Sequence, residues 1–161
     1  MARTRAPYVV VCGSGQATTQ EVAWAEEVGR LIADAGAVLV CGGLGGVMDA
    51  AARGCEAGGG LSIGILPGER RDPASPHLTV SLPTGLGEAR NALVVRAADA
   101  VIAIGGEFGT LSEIALALKA GTPVVGLRTW ELAKHGSPVN AIIQAETPQD
   151  AVGAALDAMA S

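Results

Sequence analysis

A nine-residue segment, Gly105 to Glu113 (GGEFGTLSE), combines three glycines, a threonine and a carboxylate in a pattern that could bind an anion. Gly105, Gly106 and Gly109 would let a ligand approach the backbone closely. The helix that follows would direct its unpaired N–H groups and partial positive charge to the same place. Thr110 would add a hydroxyl to this predicted phosphate pocket. Glu113 cannot bind phosphate, but it could reach a sugar hydroxyl or a water molecule.

The same spacing has an explanation that needs no ligand. Thr110 and Glu113 stand three residues apart, which is the spacing of a capping box, in which two side chains satisfy the first N–H groups of a helix. The spacing alone leaves the phosphate pocket and the helix cap equally open.

Two further glycine-rich loops follow apolar runs and are predicted to bind the same ligand. The first contains Gly13, Ser14 and Gly15, and the second contains Gly42, Gly43, Gly45 and Gly46. Ser14 lacks the G-x-S-x-G spacing of a nucleophile elbow, so its hydroxyl is predicted to line the crevice. Cys12 is interpreted as a small buried residue, and Asp49 as a first-turn helix carboxylate that could instead contact a ligand hydroxyl.

The elements that must position these loops alternate between strands and helices. Apolar, β-branched runs predict strands at residues 8–12, 37–41, 61–66, 78–82, 100–104, 124–127 and 141–144. Helices are predicted at residues 18–34, 47–58, 87–98, 110–120 and from 147 onward. In the fourth helix, apolar spacing predicts a buried face of Leu111, Ile114, Ala115 and Leu118. The alternation predicts one doubly wound α/β domain over residues 1–161, with its crevice at the carboxyl ends of parallel strands.

Composition narrows the class of protein. The chain has 23 glycines among 161 residues, about twice the ~7% of average proteins, and only four aromatic residues: Tyr8, Trp24, Phe108 and Trp130. The net charge of −5 comes without a basic stripe, which argues against a nucleic-acid partner. Neither a membrane-spanning segment nor a secretion signal is expected, and three unpaired cysteines favour the reducing cytoplasm. His77 and His135 are isolated, so no metal site is predicted.

Familiar nucleotide motifs are incomplete. The Gly13-x-Gly15 pair lacks the third glycine of a dinucleotide fingerprint and the acidic residue that ends the second strand, and no P-loop sequence occurs anywhere. A standard NAD site is therefore not expected, and a P-loop NTPase is excluded.

Three ordered motifs resemble those of the Lonely Guy (LOG) family. Gly105-Gly106-x-x-Gly109-Thr110-x-x-Glu113 resembles the family's P-G-G-x-G-T-x-x-E signature. The stretch from Gly42 to Met48 resembles its glycine-rich segment, and Glu88 to Asn91 takes the place of its E-R-K segment. The resemblance covers about residues 8–127 and implies a Rossmann-like sheet of about seven parallel strands.

LOG enzymes hydrolyse nucleoside 5′-monophosphates to a free base and ribose 5-phosphate. The resemblance therefore implies that the glycine loop and Thr110 bind phosphate and that Arg90 and Glu113 are catalytic. A carboxylate can stabilise the oxocarbenium character of the breaking glycosidic bond, and a guanidinium can hold a ligand oxygen. The alternative for Arg90 is a solvated helix arginine paired with Glu88 or Glu107.

The chain departs from the LOG pattern at Ile104, where the family has proline, and at Asn91, where it has lysine. These features and the short length resemble a sister branch that includes molybdenum cofactor carrier proteins, which bind a phosphate-bearing pterin. The alternative function is therefore that of a carrier for such a cofactor. The expected ligand is a nucleotide or a molybdopterin-type molecule, and no other cofactor is expected to be required.

The resemblance has two further implications. Members of the family are also labelled lysine decarboxylases, but pyridoxal phosphate chemistry needs a Schiff-base lysine, and Lys119 and Lys134 are the only lysines. Decarboxylation is therefore not expected. The family also forms homodimers or larger homo-oligomers, through helices that correspond to residues 87–98 and 110–120.

Overall fold

The computed structural model describes residues 5–161, which form nine strands and five α-helices. The strands are β1 (Tyr8–Gly13), β2 (Val38–Cys41), β3 (Ser62–Leu66), β4 (Val80–Pro83), β5 (Ala100–Ile104), β6 (Val124–Leu127), β7 (Leu132–Lys134), β8 (Ser137–Val139) and β9 (Ile143–Ala145). The helices are α1 (Thr19–Asp34), α2 (Val47–Ala57), α3 (Arg90–Arg96, preceded by one 3₁₀ turn at Gly87–Ala89), α4 (Phe108–Ala120) and α5 (Pro148–Met159).

Seven of the strands form one parallel sheet in the order β4-β3-β2-β1-β5-β6-β9. Strands β1, β2, β5 and β6 are almost wholly buried, as expected for a sheet that is covered on both faces. The predicted Rossmann-like α/β fold with about seven parallel strands is confirmed.

Each face of the sheet has its own helical layer. Helices α1, α2 and α5 pack on one face, against side chains such as Val9, Leu39 and Ile102. Helices α3 and α4 pack on the other face, against Val10, Val40 and their neighbours. The order of the strands reverses between β1 and β5, and doubly wound sheets bind ligands at such a point.

Two glycines that the sequence did not distinguish bring α1 and α2 together. A Cβ atom on Gly29 would overlap the carbonyl oxygen of Ala51, and one on Gly54 would overlap the carbonyl oxygen of Glu26. The two helix backbones are therefore in direct contact, and part of the glycine excess serves helix packing instead of ligand binding.

A two-stranded antiparallel hairpin of β7 and β8 was not predicted from the sequence. Its turn is His135-Gly136, and both residues have positive φ values, 50° and 78°. This is the backbone conformation of a two-residue hairpin turn. Within residues 5–161, no helix is long and apolar enough to cross a membrane.

Candidate functional site

The carboxyl ends of β1 and β2 and the first turns of α3 and α4 surround a cavity of about 340 Å³, referred to below as the crevice. This volume lies within the range of small-molecule sites. The residues that line the crevice are Cys12, Gly13, Ser14, Gly15, Gln16, Gly42, Met48, Arg90, Asn91, Glu107, Gly109, Thr110 and Glu113.

The structure brings together eight of the thirteen residues predicted for the site. These are Gly13, Ser14, Gly15, Gly42, Arg90, Gly109, Thr110 and Glu113. The other five lie outside the lining of the crevice: Gly43, Gly45, Gly46, Gly105 and Gly106. Gly105 and Gly106 line a second cavity beside it.

Packing accounts for two of the glycines outside the crevice. A Cβ on Gly43 would lie 2.6 Å from a methyl group of Leu66, and one on Gly46 would overlap the carbonyl oxygen of Ser14. Both residues also have positive φ values, 80° and 63°. These glycines shape the turn between β2 and α2, whereas Gly42 contributes directly to the crevice.

The first turn of α4 contradicts the capping-box interpretation of Thr110 and Glu113. The helix begins at Phe108, so Thr110 lies inside it, and the residue at the cap position is Glu107, whose side chain makes no capping hydrogen bond. The first N–H groups of the helix therefore have no side-chain cap, and Gly109 and Thr110 line the crevice. This arrangement fits the binding of an anion.

The buried face of α4 also differs from the apolar pattern in the sequence. The helix buries Thr110, Glu113, Ile114 and Ala117, whereas Ala115, which was predicted to be buried, is exposed. On this face, Thr110 and Glu113 line the crevice, whereas Ile114 and Ala117 pack on the sheet.

Arg90 is buried, with only 9% of its surface exposed, so the predicted alternative of a solvated arginine is wrong. Its Nη2 donates to the carbonyl oxygen of Gly42 at 3.3 Å, and its Nη1 donates to Oδ1 of Asn91. Its Nε is buried and has no hydrogen-bond partner among the residues that the structure describes. A buried, unpaired N–H is costly, and a ligand acceptor in the crevice would satisfy it.

Gly42 and Asn91 hold the Arg90 side chain in place. A Cβ on Gly42 would lie 2.7 Å from Nη2 of Arg90, so a side chain at this position would force the guanidinium to move. Asn91 also donates from Nδ2 to the Ser112 hydroxyl at 3.1 Å, and this bond ties α3 to α4. Asn91, which replaces the lysine of the LOG motif, therefore positions Arg90 relative to α4.

Glu113 is only 7% exposed and lies beside Cys12 and Arg90. Burial raises the pKa of its carboxyl to about 7, although the Arg90 cation and a hydrogen bond from Cys12 act in the opposite direction. The Cys12 thiol is itself buried, and burial together with the adjacent Glu113 raises its pKa well above the ordinary value. Cys12 is thus a protonated donor and not a nucleophile at neutral pH.

Asp49 lies in the first turn of α2, as the sequence suggested, and outside the lining of the crevice. Its Oδ1 accepts a hydrogen bond from the Ser75 hydroxyl at 2.7 Å, and its Oδ2 accepts one from Arg53 at 3.4 Å. It anchors the loop between β3 and β4.

Five residues of the crevice were not among the predicted site residues: Cys12, Gln16, Met48, Asn91 and Glu107. The sequence offered one signal for these residues: several of them lie within a few residues of a predicted glycine loop. Chemically, the crevice gathers a buried guanidinium, uncapped helix N–H groups and the hydroxyls of Ser14 and Thr110. These donors suit a phosphate group.

Fold and crevice together define a class: Rossmann-like, doubly wound α/β proteins with a polar crevice where the strand order reverses. The comparisons with known proteins identify the group within that class. The profile of the SLOG cluster4 family matches residues 6–152, and the chain belongs to this family. The predicted LOG-like family, in a branch that resembles molybdenum cofactor carrier proteins, is thereby confirmed.

Similar proteins cover almost the whole chain. An uncharacterized protein of Archaeoglobus fulgidus is 41% identical over 142 residues, which are 88% of this chain and 89% of that protein. The molybdenum cofactor binding protein of the phototrophic bacterium Rippkaea orientalis is 37% identical, with a TM-score of 0.89 over 98% of this chain and 99% of that one. The molybdenum cofactor carrier protein of Chlamydomonas reinhardtii is 32% identical, with a TM-score of 0.87 over 98% and 100%.

Proposed function

We propose that this protein binds and carries a phosphate-bearing pterin of the molybdenum cofactor type, with the phosphate in the crevice. The observation that carries the proposal is the buried guanidinium of Arg90, a residue that lines the crevice and whose Nε has no hydrogen-bond partner within residues 5–161. The structural likeness to the cofactor-binding proteins of Rippkaea orientalis and Chlamydomonas reinhardtii supports the same ligand class.

The residues present fit such a ligand. Arg90, the N–H groups at the start of α4, Thr110 and Ser14 would hold the phosphate, while Gly15 and Gly109 leave space for the rest of the molecule. The cofactor supplies redox chemistry in the enzyme that receives it. The protein's own task is then to hold the ligand and shield it from water.

Gly109 offers a sharp test because it lines the crevice and a Cβ there would meet no protein atom within 4 Å. Gly109→Ala should fold normally and weaken the binding of molybdenum cofactor released from a molybdoenzyme by about tenfold, equivalent to about 1.4 kcal/mol. Gly153→Ala is the matched control, because Gly153 is also helical with open space around it but lies in α5. Its affinity should equal that of the wild type.

Binding can be measured by thermal protection and by the transfer of cofactor to an apo-molybdoenzyme. An unchanged melting temperature at saturating cofactor would refute the carrier function. Equal affinities of Gly109→Ala and the wild type would place the ligand outside the crevice.

Hydrolysis of a nucleoside 5′-monophosphate is the second candidate, and the buried Glu113 beside Arg90 favours it. In this reaction water attacks C1′, the bond from C1′ to the base breaks, and the base leaves with the electron pair and takes up a proton. Glu113 would orient the water and receive its proton, since its pKa of about 7 lies near neutral pH. Incubation with AMP and cytokinin ribotides, followed by chromatography, should reveal free base that Glu113→Gln does not release. An absence of free base at high protein concentration would exclude this activity.

The proposal includes a homodimer or homotetramer and a cytoplasmic location. The oligomer is supported by exposed apolar residues on and before α3 and α4, such as Leu86, Leu93 and Leu116. The reducing compartment is supported by Cys12, Cys41 and Cys55, which are all buried and free.

A further inference from the structure

Two of the four aromatic residues of the chain stand together beside the crevice. Phe108 is the first residue of α4 and is 76% exposed, which makes it the most exposed of the large apolar side chains among residues 5–161. Its ring centroid is 5.5 Å from that of Trp130, with 39° between the ring planes. The indole N–H of Trp130 donates to the carbonyl oxygen of Glu107 at 3.2 Å, which fixes the pair to the loop before α4.

Trp130, but not Phe108, lines a second cavity of about 460 Å³, referred to below as the rim pocket. Trp130 lines it together with Gly105, Gly106 and Thr129. Glu107 lines both the rim pocket and the crevice, so the two cavities lie on either side of this residue.

A side-chain hydrogen bond and two glycines in the left-handed region shape the rim pocket. The Thr129 hydroxyl donates to the carbonyl oxygen of Gly105 at 2.5 Å, which joins the loop after β5 to the loop after β6. Gly105 and Gly106 have positive φ values of 52° and 97°, which only glycine adopts easily. The pocket is thus a built feature with one aromatic wall.

We propose that Phe108 and Trp130 stack against the planar heteroaromatic ring of the ligand whose phosphate lies in the crevice. Aromatic side chains bind flat rings by stacking against their faces. The pair lies beside the phosphate-binding turn, which matches a molecule that carries both a phosphate and a flat ring. The ligand class is therefore a phosphate ester that carries a flat heterocycle, either a pterin or a purine. This inference rests on the proposed function, because it assumes a phosphate in the crevice.

Intrinsic fluorescence provides the test, since Trp24 and Trp130 are the only tryptophans. In a Trp24→Phe background, Trp130 is the only tryptophan, and excitation that is selective for tryptophan avoids the emission of Tyr8. A phosphorylated pterin and AMP carry a flat ring, whereas ribose 5-phosphate carries the phosphate without one. Ring-bearing ligands should quench Trp130, and ribose 5-phosphate should bind without quenching.

Removal of the outer ring should separate the two kinds of ligand. Phe108→Ala should weaken the binding of the ring-bearing phosphate by roughly 5- to 150-fold, as expected for the loss of one stacking contact. The affinity for ribose 5-phosphate should stay within about twofold, since the ring-free ligand makes no stacking contact. The control is Leu61→Ala, which removes an exposed apolar side chain that is distant from Phe108 in the sequence. It should change neither the affinity for the ring-bearing phosphate nor that for ribose 5-phosphate.

The outcomes distinguish the two proposals. If the pterin phosphate and AMP bind no better than ribose 5-phosphate and Phe108→Ala affects all three alike, stacking is refuted while phosphate binding stands. If none of the three ligands binds, the stacking and the phosphate site both fall. If Phe108→Ala lowers the oligomeric mass measured by sedimentation and leaves every affinity unchanged, the aromatic pair is a contact between copies and the inference is overturned.

Discussion

Replacement of Glu113 by glutamine should make the protein more stable at alkaline pH. The folded chain holds the proton of Glu113 up to about pH 7, whereas an ordinary glutamate releases it near pH 4.5. The free energy of unfolding therefore falls as the pH rises through this window, and the full cost is present above pH 7. Glutamine has nearly the same shape as the protonated acid and cannot ionise, so it avoids this cost.

The size of the effect follows from the raised pKa. A difference of about 2.5 pKa units corresponds to about 3 kcal/mol at 1.36 kcal/mol per unit. For a domain of this size, that free energy equals roughly 6–12 °C in Tm. At pH 5 the wild-type carboxyl is protonated in the folded state, so the two proteins should differ little there.

Urea unfolding of the wild type and Glu113→Gln from pH 5 to pH 9 measures the difference directly. The stability gained by the variant should grow as the pH rises from about 4.5 to about 7 and stay constant above that range. Glu107→Gln removes an exposed carboxylate from the same crevice and should change stability by less than about 0.5 kcal/mol. A difference between wild type and Glu113→Gln that is constant with pH would refute burial as the cause of the raised pKa.

Two further substitutions test the binding and the packing roles. Arg90→Lys keeps the positive charge but removes Nε and the planar fork, so calorimetry should show phosphate-ligand binding weakened by about 1.5–3 kcal/mol; unchanged binding would exclude Nε as a ligand donor. Gly54→Ala places a methyl group against the carbonyl oxygen of Glu26 and should lower the unfolding free energy by about 3 kcal/mol in urea. Gly153→Ala, in open space, should instead stabilise by about 0.4–1 kcal/mol, and equal effects of the two substitutions would contradict the close helix contact.

The strands of the sheet could be predicted because burial on both faces leaves a plain sequence signal. The apolar runs at residues 100–104 and 124–127 coincide with β5 and β6. The hairpin of β7 and β8 gave no such signal, because it is largely exposed and contains Pro138 and few apolar residues. Its turn depends on a positive φ at His135, and a histidine in the sequence does not indicate this conformation.

The position of the crevice could be predicted more fully than its details. Glycine loops after buried strands must lie at the carboxyl ends of parallel strands, and the crevice lies at that edge of the sheet. The burial of Arg90 could not be predicted, because the guanidinium packs against Gly42 and donates to its carbonyl oxygen, and Gly42 lies 48 positions earlier in the chain. The buried face of α4 was misjudged for a related reason: apolar spacing cannot anticipate a helix that turns Thr110 and Glu113 inward towards a cavity.

The reversal of strand order between β1 and β5 gives the crevice a particular place in the folding of the chain. Gly13 and Gly42 belong to the half of the sheet built from residues 8–83, whereas Thr110 and Glu113 belong to the half built from residues 100–145. Neither half contains a complete crevice, and the strands that join them are about ninety residues apart in sequence. A ligand in the crevice would contact both halves of the sheet, so the proposed cofactor could bind only after both halves have docked.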